Sequence, residues 1–380
     1  MKKLIVTGII VLSSLILLDV LFIDKNINDN PATDHTDNTL YIERAETILN
    51  GGLLYRDVVT KTPPLINYLL VPPVYFGGTA ISFEIYFSFF ILLTVISMYY
   101  FLSKIDKKLA YAASFAFLML PTTLATPTFC RQDESIVVFF FILPLLILYS
   151  CKRKYLFSIL SSIGVWIKMH PIFLIPPFLI KQKRKEFVRH LFIIAITSLV
   201  ITAPFLLLAF DEFTWFIKFY LFGTGEELQG ISLWRLLDAN GVSIPSFFLI
   251  IILLFAIVTL YVKFRGESVW KMVLLSMIVY FVFYPKIHYE YYLMLFAVAI
   301  PYLIEKRNLV AMLYVVSLLT SITLLIEQRY LDWKTTTYAY PIFVSIAIGC
   351  MVAVDIILIY IFYHVSKSNT WIDSVEENRA

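Results

Sequence analysis

Long apolar runs constrain the fold of this chain more than any other feature of its sequence. Reading the runs between charged or Pro/Gly-rich breaks gives twelve segments. They lie at about 4–23, 80–103, 109–126, 135–150, 155–168, 171–180, 190–210, 246–263, 269–284, 290–304, 309–326 and 341–364. A membrane span needs ~20 apolar residues, or fewer where protein shields its ends. We therefore predict an all-α, polytopic transmembrane helix bundle of about twelve spans.

The composition excludes several other classes of protein. Hydrophobic residues make up 60% of the 380 residues and charged residues 15%, whereas a soluble domain is about 45–50% apolar and about 25% charged. A soluble enzyme, a nucleic-acid-binding protein and a disordered protein do not fit this balance. The 3 cysteines form no CxxC pair, so neither a disulfide framework nor a cysteine metal site is predicted.

The charges orient the predicted bundle. With the amino terminus in the cytoplasm, 20 of the 31 basic residues fall on the cytoplasmic side and 17 of the 27 acids fall outside. Both biases agree with the positive-inside rule. We expect an uncleaved first helix from Leu4 to Ile23 and both termini in the cytoplasm. The expected membrane domain covers 1–366, and 367–380 form a short cytoplasmic tail.

Two segments leave the topology less defined. The fifth and sixth spans are short, and His170-Pro171 between them indicates either a tight hairpin or a break in one helix. A long external segment at about 211–245 carries many aromatic residues among acids, so we expect it to lie at the membrane interface. The other long external segment, about 24–79, is the more informative one.

A short helix is predicted in this first external loop. Asp37 or Asn38 can cap it, its apolar positions Leu40, Ala45, Ile48 and Leu49 lie near one face, and Gly51-Gly52 ends it. The segment from Leu65 to Phe76 is apolar but interrupted by Pro72 and Pro73, which indicates a short helix lying along the membrane. From these patterns alone, a plain N-cap explains Asp37 as well as a functional carboxylate does.

The same loop resembles the first external loop of the GT-C glycosyltransferases. The resemblance is carried by Asp37-x-x-x-Tyr41, Ala45, Leu49, Tyr55, Asp57 and Lys61-x-Pro63-Pro64. It is greatest to the protein-mannosyltransferase-like branch, which includes dolichyl-phosphate-mannose-protein mannosyltransferases and lipid A aminoarabinose transferases. Arg131-x-Asp133, Lys168 with Pro171, and His288-Tyr289-x-Tyr291-Tyr292 resemble further family features. The family often has an Asp-Glu pair where this chain has Asp37-Asn38, so Asp34, Asp57 or Asp133 is a candidate second acid.

The resemblance implies transfer of a sugar from a polyprenyl-phosphate-linked donor to a glycan, lipid or protein acceptor on the extracytoplasmic face. Displacement at the anomeric carbon needs a carboxylate to take the acceptor's proton and cations to stabilise the phosphate. Asp37 is the expected general base and Asp133 a second catalytic acid. The candidate substrate-binding residues are Arg131, Lys168, His170, Lys286, His288, Asp57 and Lys61. Dependence on a divalent metal stays open, because the external acids form no recognisable ligand set.

Structural explanations compete for most of these residues. Arg131 and Lys286 could extend to the interface as snorkelling side chains, and Asp133 or Glu134 could pair with Arg131. Lys168 and His170 sit at a helix break near membrane depth, where ionisable groups tend to be functional. His288 fits an aromatic belt, and Asp57 fits a solvated loop. For Glu84, within a span, we expect a hydrogen-bond partner rather than chemistry.

Two other functions compete with the glycosyltransferase. A polytopic transporter or lipid flippase predicts ionisable residues near the bilayer midplane, broken helices and internal symmetry. Only Asp19, Glu84 and Asp355 are acids within the predicted spans, and all lie toward span ends. A non-enzymatic assembly or polymer-export partner on the same scaffold is the third alternative. Transfer assayed after mutation of Asp37 to Asn discriminates among them.

Overall fold

The computed structural model describes residues 1–23, 36–151, 153–222, 232–242, 244–330 and 341–377. These residues fold as α-helices joined by turns and short 3₁₀ segments, and no strand occurs among them. Seven of their helices are long and apolar enough to cross a membrane. This is the pattern of a multi-pass membrane protein, and it confirms the all-α prediction.

Every one of the twelve predicted apolar segments contains helix, and five of them are short, bent or divided. The helices are α1 (Lys2–Leu18, continued by a π-helical turn Asp19–Ile23), α2 (Asn38–Leu49), α3 (Pro64–Leu69), α4 (Val71–Tyr75), α5 (Ala80–Leu102), α6 (Lys107–Leu118), α7 (Pro121–Ala125), α8 (Glu134–Cys151), α9 (Lys154–Ile167), α10 (Ile175–Ile180), α11 (Arg184–Leu208), α12 (Phe210–Phe222), α13 (Leu233–Ala239), α14 (Ser246–Lys263), α15 (Val269–Phe283), α16 (Tyr292–Leu303), α17 (Arg307–Tyr330), α18 (Pro341–Lys367) and α19 (Trp371–Glu377). The seven long ones are α1, α5, α8, α11, α14, α17 and α18. A count of twelve membrane crossings stays a prediction.

The core lies around α8, α15 and α16. All twelve residues of α16 are buried, and α8 is buried along most of its length. Trp270 joins the three helices, because its backbone N–H donates to the Tyr149 hydroxyl at 3.0 Å and its indole N–H donates to the Val298 carbonyl at 2.9 Å. These bonds place the end of α8 beside the start of α15 and the latter part of α16.

The outer helices have the opposite character. α11 has a mean hydropathy of 2.6 over its most apolar window, yet only 11% of that window is buried inside the protein. α14 and α18 likewise expose much of their apolar surface. Helices that are apolar all round and outward-facing are stable in lipid rather than in water. These three helices, together with α1, whose most apolar window is 22% buried, therefore have the surface expected of the lipid-facing side of a bundle.

The segment 154–180 is a hairpin of two helices. The rings of Phe157, near the start of α9, and Phe178, in α10, lie 4.3 Å apart, and the Lys154 ammonium donates to the Gln182 side chain at 3.1 Å. The chain therefore reverses at Lys168–Leu174, where a 3₁₀ turn begins at His170. Gly164 permits this close return, because a Cβ there would lie 3.0 Å from a Pro171 ring carbon.

The described part of the predicted first external loop, from residue 36 on, follows its predicted outline. α2 starts after Asp37 and ends before Gly51, which adopts a φ of +79°, and α3 and α4 divide the apolar segment from Leu65 to Phe76. The predicted apolar face of α2 is right only in part. Ala45 is buried and Ile48 half-buried, as predicted, but Leu40 and Leu49 are exposed and the polar Asn38 is buried with Tyr41.

The described parts of the two long segments that we predict to be external pack against each other. Tyr55 of the first lies within 5.1–5.5 Å of the rings of Phe213 and Phe216 in α12, measured between centroids. Leu54 and Val58 complete this cluster. Part of the aromatic segment 211–245 is therefore buried within the protein rather than spread over the interface.

The predicted carboxyl-terminal tail forms a short helix, α19, which packs on the core. The Asp373 carboxylate accepts hydrogen bonds from the Tyr302 hydroxyl at 2.6 Å, from the Thr370 backbone N–H at 2.7 Å and from the Ser268 hydroxyl. The Trp371 indole donates to the Pro301 carbonyl at 2.8 Å. α19 is thus fixed to the start of α15 and the end of α16.

Candidate active site

The candidate site is built on the turn that precedes α8. Residues Cys130–Asp133 reverse the chain after α7, and Arg131 adopts a φ of +50°, in the left-handed region that non-glycine residues rarely occupy. The Gln132 backbone N–H donates to the Thr126 carbonyl at 3.0 Å, which closes the turn. As a result, Asp133 and Glu134 project side by side at the start of α8.

Lys168 binds both of these carboxylates. Its ammonium lies 2.9 Å from Asp133 Oδ1 and also donates to Glu134 Oε1. The side chains of Asp133 and Glu134 are 5% and 0% exposed. Burial alone would lower the pKa of Lys168, but the two carboxylates outweigh it and raise this pKa well above its usual value. Lys168 is therefore a permanent cation held at the hairpin turn.

Asp37 faces this group from the first external loop. It occupies the N-cap position of α2, yet its side chain makes no capping hydrogen bond, so capping does not explain it. Asp37 is exposed on one side, but protein surrounds its carboxylate on the others, so it lies in an open cleft among the ionisable side chains of Asp133, Glu290, Lys168 and His288. Burial, followed by repulsion from Asp133 and Glu290, raises the pKa of Asp37 above its ordinary value.

Tyr41 fixes α2 over the turn before α8. Its hydroxyl donates to Gln132 Oε1 and accepts from the Asp133 backbone N–H, both at 3.4 Å. Its ring packs between Phe83 and Phe87 of α5. Because Tyr41 follows Asp37 by one helical turn, the same contact holds the Asp37 carboxylate near Asp133.

Two histidines and two tyrosines lie close together beside Lys168. The Tyr291 ring lies 4.5 Å from the His170 ring and 5.3 Å from the His288 ring, and the Lys168 ammonium stands 5.1 Å from its centroid. The Tyr280 hydroxyl lies 3.4 Å from His170 Nε2. Burial lowers the pKa of His288 to about 4 despite the nearby Asp37 carboxylate. At neutral pH His288 is therefore an uncharged hydrogen-bonding group.

A second cationic group lies beyond His288. Burial, and then repulsion from Lys61, lowers the pKa of Lys286 to about 8. Lys286 in turn acts on His288, which also interacts with Asp37. The site therefore combines the acids Asp37 and Asp133 with two lysines, Lys61 and Lys286, that are close enough to repel each other.

Seven of the nine predicted residues belong to this arrangement: Asp37, Asp133, Lys168, His170, Lys286, His288 and Lys61. Two do not. Arg131 is buried, with its Nε 4.0 Å from Glu84 Oε1, so it is enclosed by protein rather than presented to the cleft. Asp57 accepts from the Leu53 backbone N–H at 2.7 Å and pairs with Arg56 at 3.0 Å; Arg56 and that N–H lower its pKa to about 2.

The alternative pairings also change. Asp133 and Glu134 bind Lys168, and Arg131 forms a long ion pair with Glu84 at 4.0 Å. That distance is too long for the hydrogen bond expected of Glu84, so this expectation stays a prediction. Asp34, the remaining candidate for a second acid, lies outside the described residues. The acids that do join Asp37 are Asp133 and Glu290.

Sequence reasoning missed the contributions of Glu134, Glu290 and Tyr291. Glu290 is the residue between the tyrosines of the motif His288-Tyr289-x-Tyr291, and its Oε1 lies 3.9 Å from His288 Nδ1. The sequence did contain one signal for Glu290, namely its position as an acid within an aromatic motif at the start of a helix. Tyr291, noted only as part of that motif, contacts both histidines and Lys168.

No protein-family model matches the chain, and it shows no significant similarity to any curated protein.

The cleft offers proton transfer and anion binding. Asp37 is a carboxylate in a cleft with a raised pKa, which suits a general base. Lys61 and Lys286 are neighbouring ammonium groups whose mutual repulsion an anion would relieve. Within the described ranges, no group of three or more His, Cys, Asp or Glu side chains is placed to hold a metal ion.

Proposed function

We propose that the chain is an integral-membrane glycosyltransferase that moves a sugar from a polyprenyl-phosphate-linked donor to an acceptor on the extracytoplasmic face. The observation that carries this proposal is the Asp37 carboxylate. It makes no capping bond, it lies in a cleft, and burial together with acids on two other segments raises its pKa.

In the proposed reaction, Asp37 handles the proton and the two lysines handle the phosphate. Asp37 accepts the proton of the acceptor's nucleophilic group as that group attacks the anomeric carbon. The bond between the anomeric carbon and the phosphate oxygen breaks, and polyprenyl phosphate leaves with the bonding electrons. Lys61 and Lys286 stabilise the charge that develops on this phosphate.

Lys168 and Asp133 have a positioning function in this proposal. Because Lys168 is already bound to Asp133 and Glu134, its charge is neutralised and it is a poor phosphate ligand. The pair instead fixes the hairpin turn against the start of α8. It also holds the Asp133 carboxylate close to Asp37, where its repulsion adds to burial in raising the pKa of the base.

A lipid-linked substrate also fits the surroundings of the site. α11 leads into α12, which packs on the first external loop, and α11 exposes most of its apolar surface. A polyprenyl chain can therefore remain in the bilayer beside these helices while its phosphate reaches Lys61 and Lys286. A transporter also tolerates such a surface, so the experiment has to separate the two functions.

The test uses the full chain in proteoliposomes with a panel of polyprenyl-monophosphate-linked hexoses. We expect release of polyprenyl phosphate coupled to sugar transfer, and we expect Asp37→Asn to abolish it. Glu46→Gln is the matched control, because it removes one negative charge from an exposed position on the same helix. Movement of the intact donor across the bilayer with no polyprenyl phosphate released would instead support a flippase and contradict the proposal.

A further inference from the structure

An open cavity of about 460 Å³ lies at the other end of the bundle, between the α16–α17 turn and the last turns of α18. α16 and the 3₁₀ turn before it, Tyr289–Leu303, separate this cavity from the candidate active site. At 1.5 Å per residue these fifteen residues span roughly 22 Å. The cavity is therefore a separate feature of the molecule.

The cavity is lined by basic side chains. Lys306, Arg307 and His364 all border it. In the part of the chain that the structure describes, neither Lys306 nor Arg307 forms an ion pair; the Lys306 ammonium donates to the neutral Ser368 hydroxyl. The one acid at the cavity, Glu305, accepts a hydrogen bond from the Trp371 backbone N–H at 3.1 Å. Because that N–H is neutral, Glu305 keeps its negative charge, and the two cations Lys306 and Arg307 exceed this one acid. An excess of positive charge is thus left for a ligand.

Burial adds to the preference for an anion. It lowers the pKa of Lys306, with Asp373 opposing and Lys271 assisting that shift. The first turn of α17 also begins at the cavity, and its N–H groups lack partners within the helix. An anionic group placed there would interact favourably with Lys306, with Arg307 and with the positive end of the helix.

The cavity is continuous with lipid-facing apolar surface. Val352, Ile356, Tyr360 and His364 follow one another at four-residue spacing, so they form a row along one face of α18. Val352, Ile356 and Tyr360 are 43%, 62% and 45% exposed. The row runs from the middle of this long helix to the cavity, where the Tyr360 and His364 rings pack at 4.4 Å.

From this juxtaposition we propose a binding site for an anionic phospholipid. Its phosphate lies in the cavity against Lys306 and Arg307, and its acyl chains lie along the row of α18. A free phosphate ester shares the headgroup chemistry, but it has no use for the apolar row. Basic pockets between transmembrane helices are known to bind lipid headgroups in this manner.

The test measures the affinity of the full chain, in neutral detergent micelles, for phosphatidylglycerol, phosphatidylcholine and glycerol phosphate, by lipid titration and native mass spectrometry. We expect phosphatidylglycerol to bind more tightly than the other two. Arg307→Gln should weaken it about fivefold, and Lys306→Gln with Arg307→Gln roughly twenty-five-fold, since each basic residue near a lipid surface contributes ~1 kcal/mol. Arg265→Gln is the control, an exposed cation at the same end that does not line the cavity.

The outcomes separate the alternatives. An equal loss in Arg265→Gln would show a general charge effect and overturn the site. Equal affinity for phosphatidylcholine would overturn the requirement for an anion. Glycerol phosphate binding as tightly as phosphatidylglycerol would show that the cavity takes a soluble phosphate ester and not a lipid. Because Arg307 is exposed, the single variant should fold and keeps the proposal testable even if the double variant is unstable.

Discussion

Replacing Lys168 with Met tests the arrangement on which the whole site depends. Met is close to Lys in length and shape, so Lys168→Met removes the ammonium while leaving the hairpin turn filled. It takes away the cation that lies 2.9 Å from Asp133 Oδ1 and is also bonded to Glu134. Two carboxylates that are 5% and 0% exposed lose this partner.

The size of the effect follows from proton uptake. A buried carboxylate without its cation is neutralised by a proton. Protonating a group whose ordinary pKa is near 4 costs about 4 kcal/mol of free energy at pH 7. This agrees with the 3–5 kcal/mol that breaking a buried ion pair costs. We therefore expect Lys168→Met to destabilise the protein by about 4 kcal/mol at pH 7.

The pH dependence gives the effect a specific signature. In the variant, the folded protein holds a proton that the unfolded chain releases above its ordinary carboxyl pKa. Stability therefore falls as pH rises, and the loss should shrink by about 1.4 kcal/mol for each pH unit below 7. Adding Glu134→Gln removes one of the stranded charges and should restore most of the stability at pH 7.

The assay is equilibrium unfolding in detergent micelles at pH 5, 6 and 7. Arg189→Gln serves as the control, because its pair with Glu186 is largely solvated and should contribute less than ~1 kcal/mol. Wild-type stability in Lys168→Met, or a loss that does not vary with pH, would refute the reasoning, since the ion pair would then not hold the turn.

Three further predictions concern other parts of the molecule. Because burial and then Asp133 and Glu290 raise the pKa of Asp37, activity should fall as pH drops through that pKa. Asp133→Asn removes one of these causes and should move the acid limb of the pH–rate profile to lower pH. Gly52→Ala places a Cβ 2.9 Å from the Thr47 carbonyl and should cost about 1–3 kcal/mol in unfolding measurements, whereas Gly266→Ala meets nothing within 4 Å and should be neutral. Thr122 joins α7 to α17 through hydroxyl hydrogen bonds at 2.9–3.1 Å, so Thr122→Val should lower stability by about 0.6 kcal/mol for each bond lost.

Local patterns explain how far the sequence predicts the fold. Each apolar run contains helix because a run of side chains that avoid water favours burial with all backbone bonds made internally. The start of α2 at Asp37 and its end at Gly51 follow equally local rules. The hairpin at Lys168 could not be distinguished from a broken helix, since the choice depends on the contact between Phe157 and Phe178.

The candidate site shows where sequence reasoning stops. Asp133, Lys168 and His288 were selected by residue type, but their partners lie far apart in the chain. By residue type, Arg131 is as good a candidate for a functional cation as Lys168. Only the packing of the helices places Arg131 against Glu84 inside the bundle. The burial of Asp373 within α19 had no signal either, because charged residues near a terminus ordinarily predict a solvated tail.

The most direct test of the proposed chemistry is the rate of polyprenyl phosphate release by Asp37→Asn at saturating lipid-linked donor. Asn is nearly the same size as Asp and cannot accept the proton, so donor binding at Lys61 and Lys286 should persist. We predict a 10²–10⁴-fold lower kcat, the usual contribution of a general base, with little change in the KM for donor. An unchanged kcat in a folded Asp37→Asn protein would contradict the assignment of Asp37 as the base.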